Sequence, residues 1–344
     1  MQKRIRILLS VFSVVLILLD PKTAASGAQD GLQLCIVTII PTLFPLFFLT
    51  AVLTDSISGL RIKRFHKLFQ FLGLPASSEM SFFLSLIGGY PVGAATIRTL
   101  YDNDCIDRTA SCRLMGFYNL AGPSFIFGFS AALFGSSKAA WLIWGIQIAS
   151  AVIVAAILPR RETTYIPKAQ AHKHRTLPKI LLDSIRNIAT VCGWIILFRI
   201  IIAYADKYLL HSVNTDTSVL LTGLLELANG TVALHSVQNE AIRFVLFNAF
   251  LSIGGLCVWM QIFSVGHGII SPIFFIGKSL HLMLVLFFSV LLQRLFHFPG
   301  SSSIPFLPPL LIGFLIISLE TFILNGKKRV VTKQYLLYNV KNNK

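Results

Sequence analysis

Glycine and proline sit side by side in the most apolar half of this chain, and that placement limits what it can fold into. The stretch Gly88 to Gly128 reads GGYPVGAATIRTLYDNDCIDRTASCRLMGFYNLAGPSFIFG. Gly88-Gly89-Tyr90-Pro91-Val92-Gly93 opens it, and Asn119-Leu120-Ala121-Gly122-Pro123-Ser124 lies near its other end. Both ends break helices, because proline removes a donor from the ladder and glycine weakens it. In lipid no water replaces the lost partners, so such backbone persists at membrane depth only where protein or a wet cavity surrounds it. Two helix ends with ordinary surface turns are one reading. The preferred reading is a solute site built from broken helices, as in secondary transporters.

A membrane setting follows from composition. The 344 residues are 55% hydrophobic and only 13% charged, with a mean hydropathy of +0.74, against about 25% charged in an average soluble chain. Several apolar runs approach the roughly 20 residues that span hydrocarbon. The net charge of +16 does not indicate nucleic acid, whose readers cluster basic residues on a folded face among aromatics. Here the basic residues sit in loops: Lys3, Arg4 and Arg6; Arg61, Lys63, Arg64 and Lys67; Arg160 to Lys179; Lys327 to Arg329. That is the pattern of the positive-inside rule.

Cys35, Cys105, Cys112, Cys192 and Cys257 show no CxxC spacing, and an odd number cannot all pair within one chain, so neither a structural disulfide nor a metal site is expected. His172 and His174 in AHKHR read as solvated residues of a basic loop rather than metal ligands.

Ile5 to Leu19 is a short apolar run behind a basic start. It resembles a cleavable signal, but a retained first helix is preferred. Gly31 to Thr54 is a second span, kinked at Pro41 and Pro45. Between two inside basic loops lie Ser81 to Ile97, about Leu114 to Phe134, and Ala139 to Leu158. Parity asks one of them not to cross, and the short, Gly/Pro-broken Ser81 to Ile97 reads as a re-entrant hairpin. Beyond the basic linker come Ile180 to Tyr204, the short Val219 to Leu234, Ala241 to Val265, Pro272 to Leu295 and Ile304 to Leu324. Val219 to Leu234 is the second hairpin by the same parity.

The two halves then show one order of events: an opening helix with an acid near its start (Asp30, Asp183), a hairpin, a Gly-broken span and a plain span. From the start of one opening helix to the start of the other there are three crossings, the first opening helix included, so the second half is upside down. The expected fold is an all-α polytopic membrane protein of about eight transmembrane helices plus two re-entrant hairpins in an inverted repeat.

Glu226 is the carboxylate in the middle of the second hairpin, beside Asn229 and Thr231. An intramembrane acid is costly and marks a proton, cation or solute site by default; a structural acid capping a helix break is the alternative. Glu320 ranks lower, near the end of its span. Asn119 before Gly122-Pro123, and Ser252 before Gly254-Gly255, set amide and hydroxyl groups beside broken backbone, where freed N–H groups favour an anion. Gln261 either contributes its amide or bonds a neighbouring helix. The Phe-rich spans read as lipid-facing bulk. No HExxH, GxSxG or Walker-type loop is present, so neither an enzyme nor an ATP-driven pump is expected.

The stretches DGLQLCIVTIIPTLFPLFFL, GGYPVGA, NLAGPSFIFG, LLTGLLELANG and AFLSIGGLCVWMQ cover most of Asp30 to Gln261. Together they resemble the sporulation integral membrane proteins of the YlbJ type, within the nucleoside-recognition (gate) domain superfamily. The resemblance implies a bacterial cytoplasmic-membrane protein related in design to concentrative nucleoside transporters, with two hairpins and two broken helices around a central solute. The family's GYPxGA hairpin matches Gly89 to Ala94, its Asn and Gly-Pro match Asn119, Gly122 and Pro123, and its Glu hairpin matches Glu226. The sequence departs from the family at Ala95, where a Lys is usual, at Tyr118-Asn119 in place of paired Asn, and at Cys257 in place of Ser.

The implied organisation is an N-terminal helix or signal-like segment (1–25), a first gate-type repeat (30–158), a basic cytoplasmic linker (159–179), a second repeat (180–296), a last helix (304–325) and a basic tail (326–344). Both termini are expected in the cytoplasm. The function expected is secondary transport of a small polar, anionic metabolite, dipicolinate-like or nucleoside-like, with a non-transporting scaffold in spore or envelope development as the alternative. The solute would touch Gly88, Gly89, Tyr90, Pro91 and Gly93; Asn119, Gly122, Pro123 and Ser124; Glu226, Asn229 and Thr231; and Ser252, Gly254, Gly255 and Gln261. No metal and no cofactor is expected beyond a coupling H+ or Na+. The partners are a small-molecule solute and the lipid bilayer, not nucleic acid; a homo-oligomer is left open.

Overall fold

The computed structural model describes residues 2–57, 66–159 and 175–296. The expected span Ile304 to Leu324 with Glu320, the basic tail, His172 and His174, and Arg61 to Arg64 lie outside the described residues.

A kinked helix opens the first half. Helix α1 (Gln2–Leu19) meets α2 (Pro21–Leu34) at Asp20, whose side chain caps Thr23 N at 3.3 Å with Pro21 in the first turn. Asp20 also accepts from Lys207 at 2.6 Å and Tyr208 at 2.8 Å, which ties this elbow to the end of a later helix. From α2 the chain runs through a π-turn, Cys35–Ile39, into α3 (Ile40–Ile57). Pro41 and Pro45 remove donors there, and the ladder widens by one residue: Ile40 N reaches back to Cys35 O.

Next come α4 (His66–Phe71) and a helical hairpin, α5 (Glu79–Gly88) and α6 (Val92–Asp102). A broken helix follows, α7 (Arg108–Met115) and α8 (Pro123–Phe134), with residues 116–122 non-helical or turn-like between them. The straight α9 (Ser137–Ile157) closes the half.

The second half meets the same order. Helix α10 (Leu177–Tyr208) is followed by a hairpin, α11 (Thr215–Leu225) and α12 (Leu227–Ala233). A helix broken at Gly254 comes next, α13 (Glu240–Ile253) and α14 (Gly255–Val265), and then α15 (Pro272–Phe296). No strand occurs among the described residues.

Among the described residues five helical stretches, two of them the joined α2–α3 and α13–α14, are long and apolar enough to cross a membrane: Pro21–Ser56, Ser137–Ile157, Leu177–Tyr208, Glu240–Val265 and Pro272–Gln293. The expected first run lies within α1 (Gln2–Leu19), and the expected third span appears instead as a shorter apolar helix, Pro123–Phe134. The third is short because Arg108 to Met115, polar on average, forms a helix of its own before the break.

Small residues set the close approaches. Gly27 and Gly31, one turn apart on α2, lie against the backbone of Arg199, Ile200 and Ile196, so α2 and α10 pack without intervening side chains. Gly277 on α15 meets the carbonyl of Gly116 just after α7. Gly230 lies on Gly223, closing the second hairpin beneath the Phe250 ring. The buried face of α15 therefore runs directly alongside the break in the first half.

Candidate functional site

Each hairpin turns beside the break of the helix that follows it. In the first half Gly89 takes a φ of 69°, and a Cβ there would run into the backbone of Gly122. Tyr90 N donates to Leu120 O at 2.7 Å, and the Tyr90–Pro91 peptide is cis. In the second half Gly255 takes a φ of 74°, and a Cβ there would stand 3.1 Å from the carbonyl oxygen of Gly223 and 3.4 Å from the backbone of Glu226. The two arrangements touch across the molecule, for a side chain on Gly254 would stand 3.8 Å from the Tyr90 ring.

The broken ends are held by particular groups. Tyr118 donates its hydroxyl to Ser78 O at 2.7 Å, fixing the first break against the start of α5. Arg113 donates to the carbonyls of Leu72, Gly73 and Ala155, where α4 and α9 run out. At the second break the Trp259 indole donates to Ile253 O at 2.7 Å. The Ala155 and Ile253 carbonyls, in the last turns of α9 and α13, are of the kind that a helix C-terminus leaves without partners.

Lys278 joins the two breaks. It sits on α15 and is buried, at 5% of its full exposure. Its Nζ donates to Asn119 O at 2.5 Å in the first break and to Ser252 O at 3.2 Å at the end of α13. The same Nζ lies 5.9 Å from the centre of the Tyr90 ring. Among the described residues Lys278 forms no ion pair. Helix C-terminal carbonyls favour a cation, which explains why an amine is tolerated there.

Two polar atoms around this point are buried without a partner: the Tyr90 hydroxyl and Asn119 Oδ1. The amide nitrogen of Asn119 is satisfied by Met115 O at 3.1 Å, and Oδ1 lies 3.3 Å from where a Gly93 side chain would begin. Buried polar atoms in folded proteins are nearly all paired, so two orphans beside one buried amine mark a place for a polar guest.

A second polar layer lies behind Lys278. His281 Nδ1 is 2.7 Å from Ser252 Oγ, and its Nε2 is 3.0 Å from Gln147 O. Gln147 in turn donates to Asn248 O at 3.1 Å and to Asn248 Oδ1 at 3.3 Å. Helices α9, α13 and α15 thus share a buried polar seam.

The expected residues fall into three groups. Gly88, Gly89, Tyr90, Pro91, Gly93, Asn119, Gly122 and Gly254 gather at the meeting of the first hairpin, the first break and the second break. Glu226, Asn229 and Gly255 lie at the second hairpin. There Glu226 caps α12, with Oε1 accepting from Ala228 N at 3.0 Å and Oε2 from Asn229 N at 2.7 Å. The capping reading of this acid is therefore what its hydrogen bonds describe. The remaining residues are turned to other tasks. Ser124 lies on the exposed side of α8 beyond half-buried Pro123. Thr231 bonds back to Leu227 O, Gln261 donates to Cys257 Sγ, and Ser252 Oγ pairs with His281.

Lys278, His281, Gln147 and Asn248 are the residues that sequence reading passed over. Lys and His stand three apart in FFIGKSLHLMLVLFF, and ionisable residues inside such a run are the signal that finds them.

The chain is similar to the sporulation integral membrane protein YlbJ of Bacillus subtilis (strain 168), with 23% identity over 302 residues that cover 73% of this chain and 72% of that protein. No family model matches the chain, and no solved structure matches it. The likeness and the five long apolar helices agree on a multi-pass integral membrane protein.

Proposed function

We propose that this chain is a secondary transporter or permease that moves a small polar anion across a bacterial cytoplasmic membrane. The observation that carries the reading is Lys278: an amine out of water, suspended between two helix breaks, with no carboxylate paired to it among the described residues. A buried ammonium is costly without a counter-charge. An anionic solute supplies one, and the Tyr90 hydroxyl and Asn119 Oδ1 supply polar contacts to its remaining atoms.

The twofold order of opening helix, hairpin, broken helix and straight helix supports an inverted repeat, the architecture in which transporters place a solute at the membrane midplane. It also supports the relation in design to concentrative nucleoside transporters and the nucleoside-recognition superfamily. The cation favours an aromatic or small carboxylate, such as a dipicolinate-like anion, over an uncharged nucleoside. A part in sporulation follows from the name of the Bacillus relative. The basic loops support a cytoplasmic side for both termini, by the positive-inside rule.

The test is equilibrium binding of labelled pyridine-2,6-dicarboxylate and uridine to the purified protein. Saturable binding of the dicarboxylate, weakened at least about tenfold in Lys278→Gln, supports the reading. A protein that folds normally and binds neither probe contradicts it and favours the scaffold alternative.

A further inference from the structure

We infer that His281 is the proton-carrying group of this site, so that the anion moves together with H+ and not with Na+. The inference rests on the transport reading above.

The geometry assigns the proton positions. Gln147 O can only accept, so His281 Nε2 carries the hydrogen of that 3.0 Å bond. In the neutral imidazole Nδ1 then has no hydrogen, and Ser252 Oγ, 2.7 Å away, donates to it. The imidazole in this arrangement is neutral, with Nδ1 as the atom that takes up a proton; Ser252 Oγ then turns to accept from it. Ser252 also connects the two basic groups, because its carbonyl holds Lys278 while its hydroxyl holds His281.

The surroundings make proton and anion interdependent. Lys278, one turn away on the same helix, is the charged group that faces His281. From α9 and α13, the helices packed against α15, it bonds Gln147 and Ser252, and Gln147 in turn bonds Asn248; none of the three titrates. Helix α7 approaches through Gly116, and its Arg113 is turned to the carbonyls of Leu72, Gly73 and Ala155. No carboxylate among the described residues bonds to either basic group. A proton on Nδ1 would therefore put a second cation beside Lys278 in a buried site, which is unfavourable until an anion lies next to them.

By linkage the anion raises proton affinity by the factor that the proton raises anion affinity. The empty carrier then holds no extra proton and the loaded one does, as symport requires. Gln147 Oε1, Ser150 Oγ and Ser289 Oγ are buried without partners on α9 and α15. They extend the polar seam beyond His281 along the same two helices.

The experiment uses the full chain in liposomes with labelled pyridine-2,6-dicarboxylate, wild type beside His281→Gln. Counterflow without gradients is compared with uptake under an outside-acid gradient of about one pH unit, which for one coupled proton drives about tenfold accumulation. The expected result is gradient-driven accumulation in wild type and at least about a tenfold loss of it in His281→Gln, with any counterflow that remains in the variant no longer responding to pH. Wild-type counterflow that ignores the pH gradient, or follows a Na+ gradient instead, overturns the inference and leaves the transport reading standing. Gradient-driven accumulation by His281→Gln also overturns it. Absence of wild-type counterflow overturns both readings. Should His281→Gln lose all counterflow, the wild type decides alone: in lightly buffered detergent, addition of the dicarboxylate must draw protons from solution onto the protein, and no uptake overturns the inference.

Discussion

Lys278 donates to the main-chain carbonyl of Asn119 at 2.5 Å across 159 residues of sequence. One amine on α15 thereby closes over the break in the first half, and its second bond, to Ser252 O, closes over the break in the other. Removing it leaves two buried carbonyls without a donor. Lys278→Gln should weaken anion binding about 10- to 100-fold, in line with about 1.5–3 kcal/mol for a hydrogen bond to a charged group. Isothermal titration of the purified variant checks this, and unchanged affinity would show that Lys278 serves packing alone.

Tyr90→Phe separates stability from function. The Tyr90 hydroxyl is buried without a partner, so its removal should leave the empty protein as stable as before or about 1 kcal/mol more stable. Anion affinity should nevertheless fall about tenfold. Thermal unfolding in detergent, with and without dicarboxylate, reads both effects. A variant with lower stability and unchanged affinity would place the hydroxyl in the scaffold.

Gly89→Ala should destabilise the protein by about 2–4 kcal/mol, because it combines a positive φ with a collision against the Gly122 backbone. Gly128→Ala is the control, since nothing lies within 4 Å of the position its Cβ would take. A melting temperature that falls for Gly89→Ala and holds for Gly128→Ala is the expected pair.

Glu226→Ala should cost about 1–2 kcal/mol through loss of the α12 cap, and Glu226→Gln about half as much, since an amide oxygen still accepts one N–H. If the carboxylate acts only as a cap, Glu226→Gln binds the dicarboxylate within about threefold of wild type. A larger loss in binding with little loss in stability would assign the acid to the solute.

The breaks were legible in the sequence because glycine and proline act locally. Gly88 to Gly93 and the Leu225–Leu227 corner both became hairpin turns, and Gly254 became the hinge between α13 and α14. Lys278 and His281 did not stand out, because the Phe-rich run around them reads as an ordinary span and their meaning depends on a partner helix, α13, that periodicity does not identify. Ser124 shows the converse. It lies next to Gly122-Pro123 in sequence, yet the helical turn after the break carries it to the exposed face.

The most direct measurement is counterflow of labelled pyridine-2,6-dicarboxylate into liposomes, with wild type, Lys278→Gln and Ser124→Ala side by side. A solute-moving protein with its site at the helix breaks gives saturable flux in wild type and Ser124→Ala and at least about tenfold less in Lys278→Gln. Equal flux in all three would remove Lys278 from the site, and no flux from correctly inserted wild type, for this anion or for uridine, would contradict transport itself.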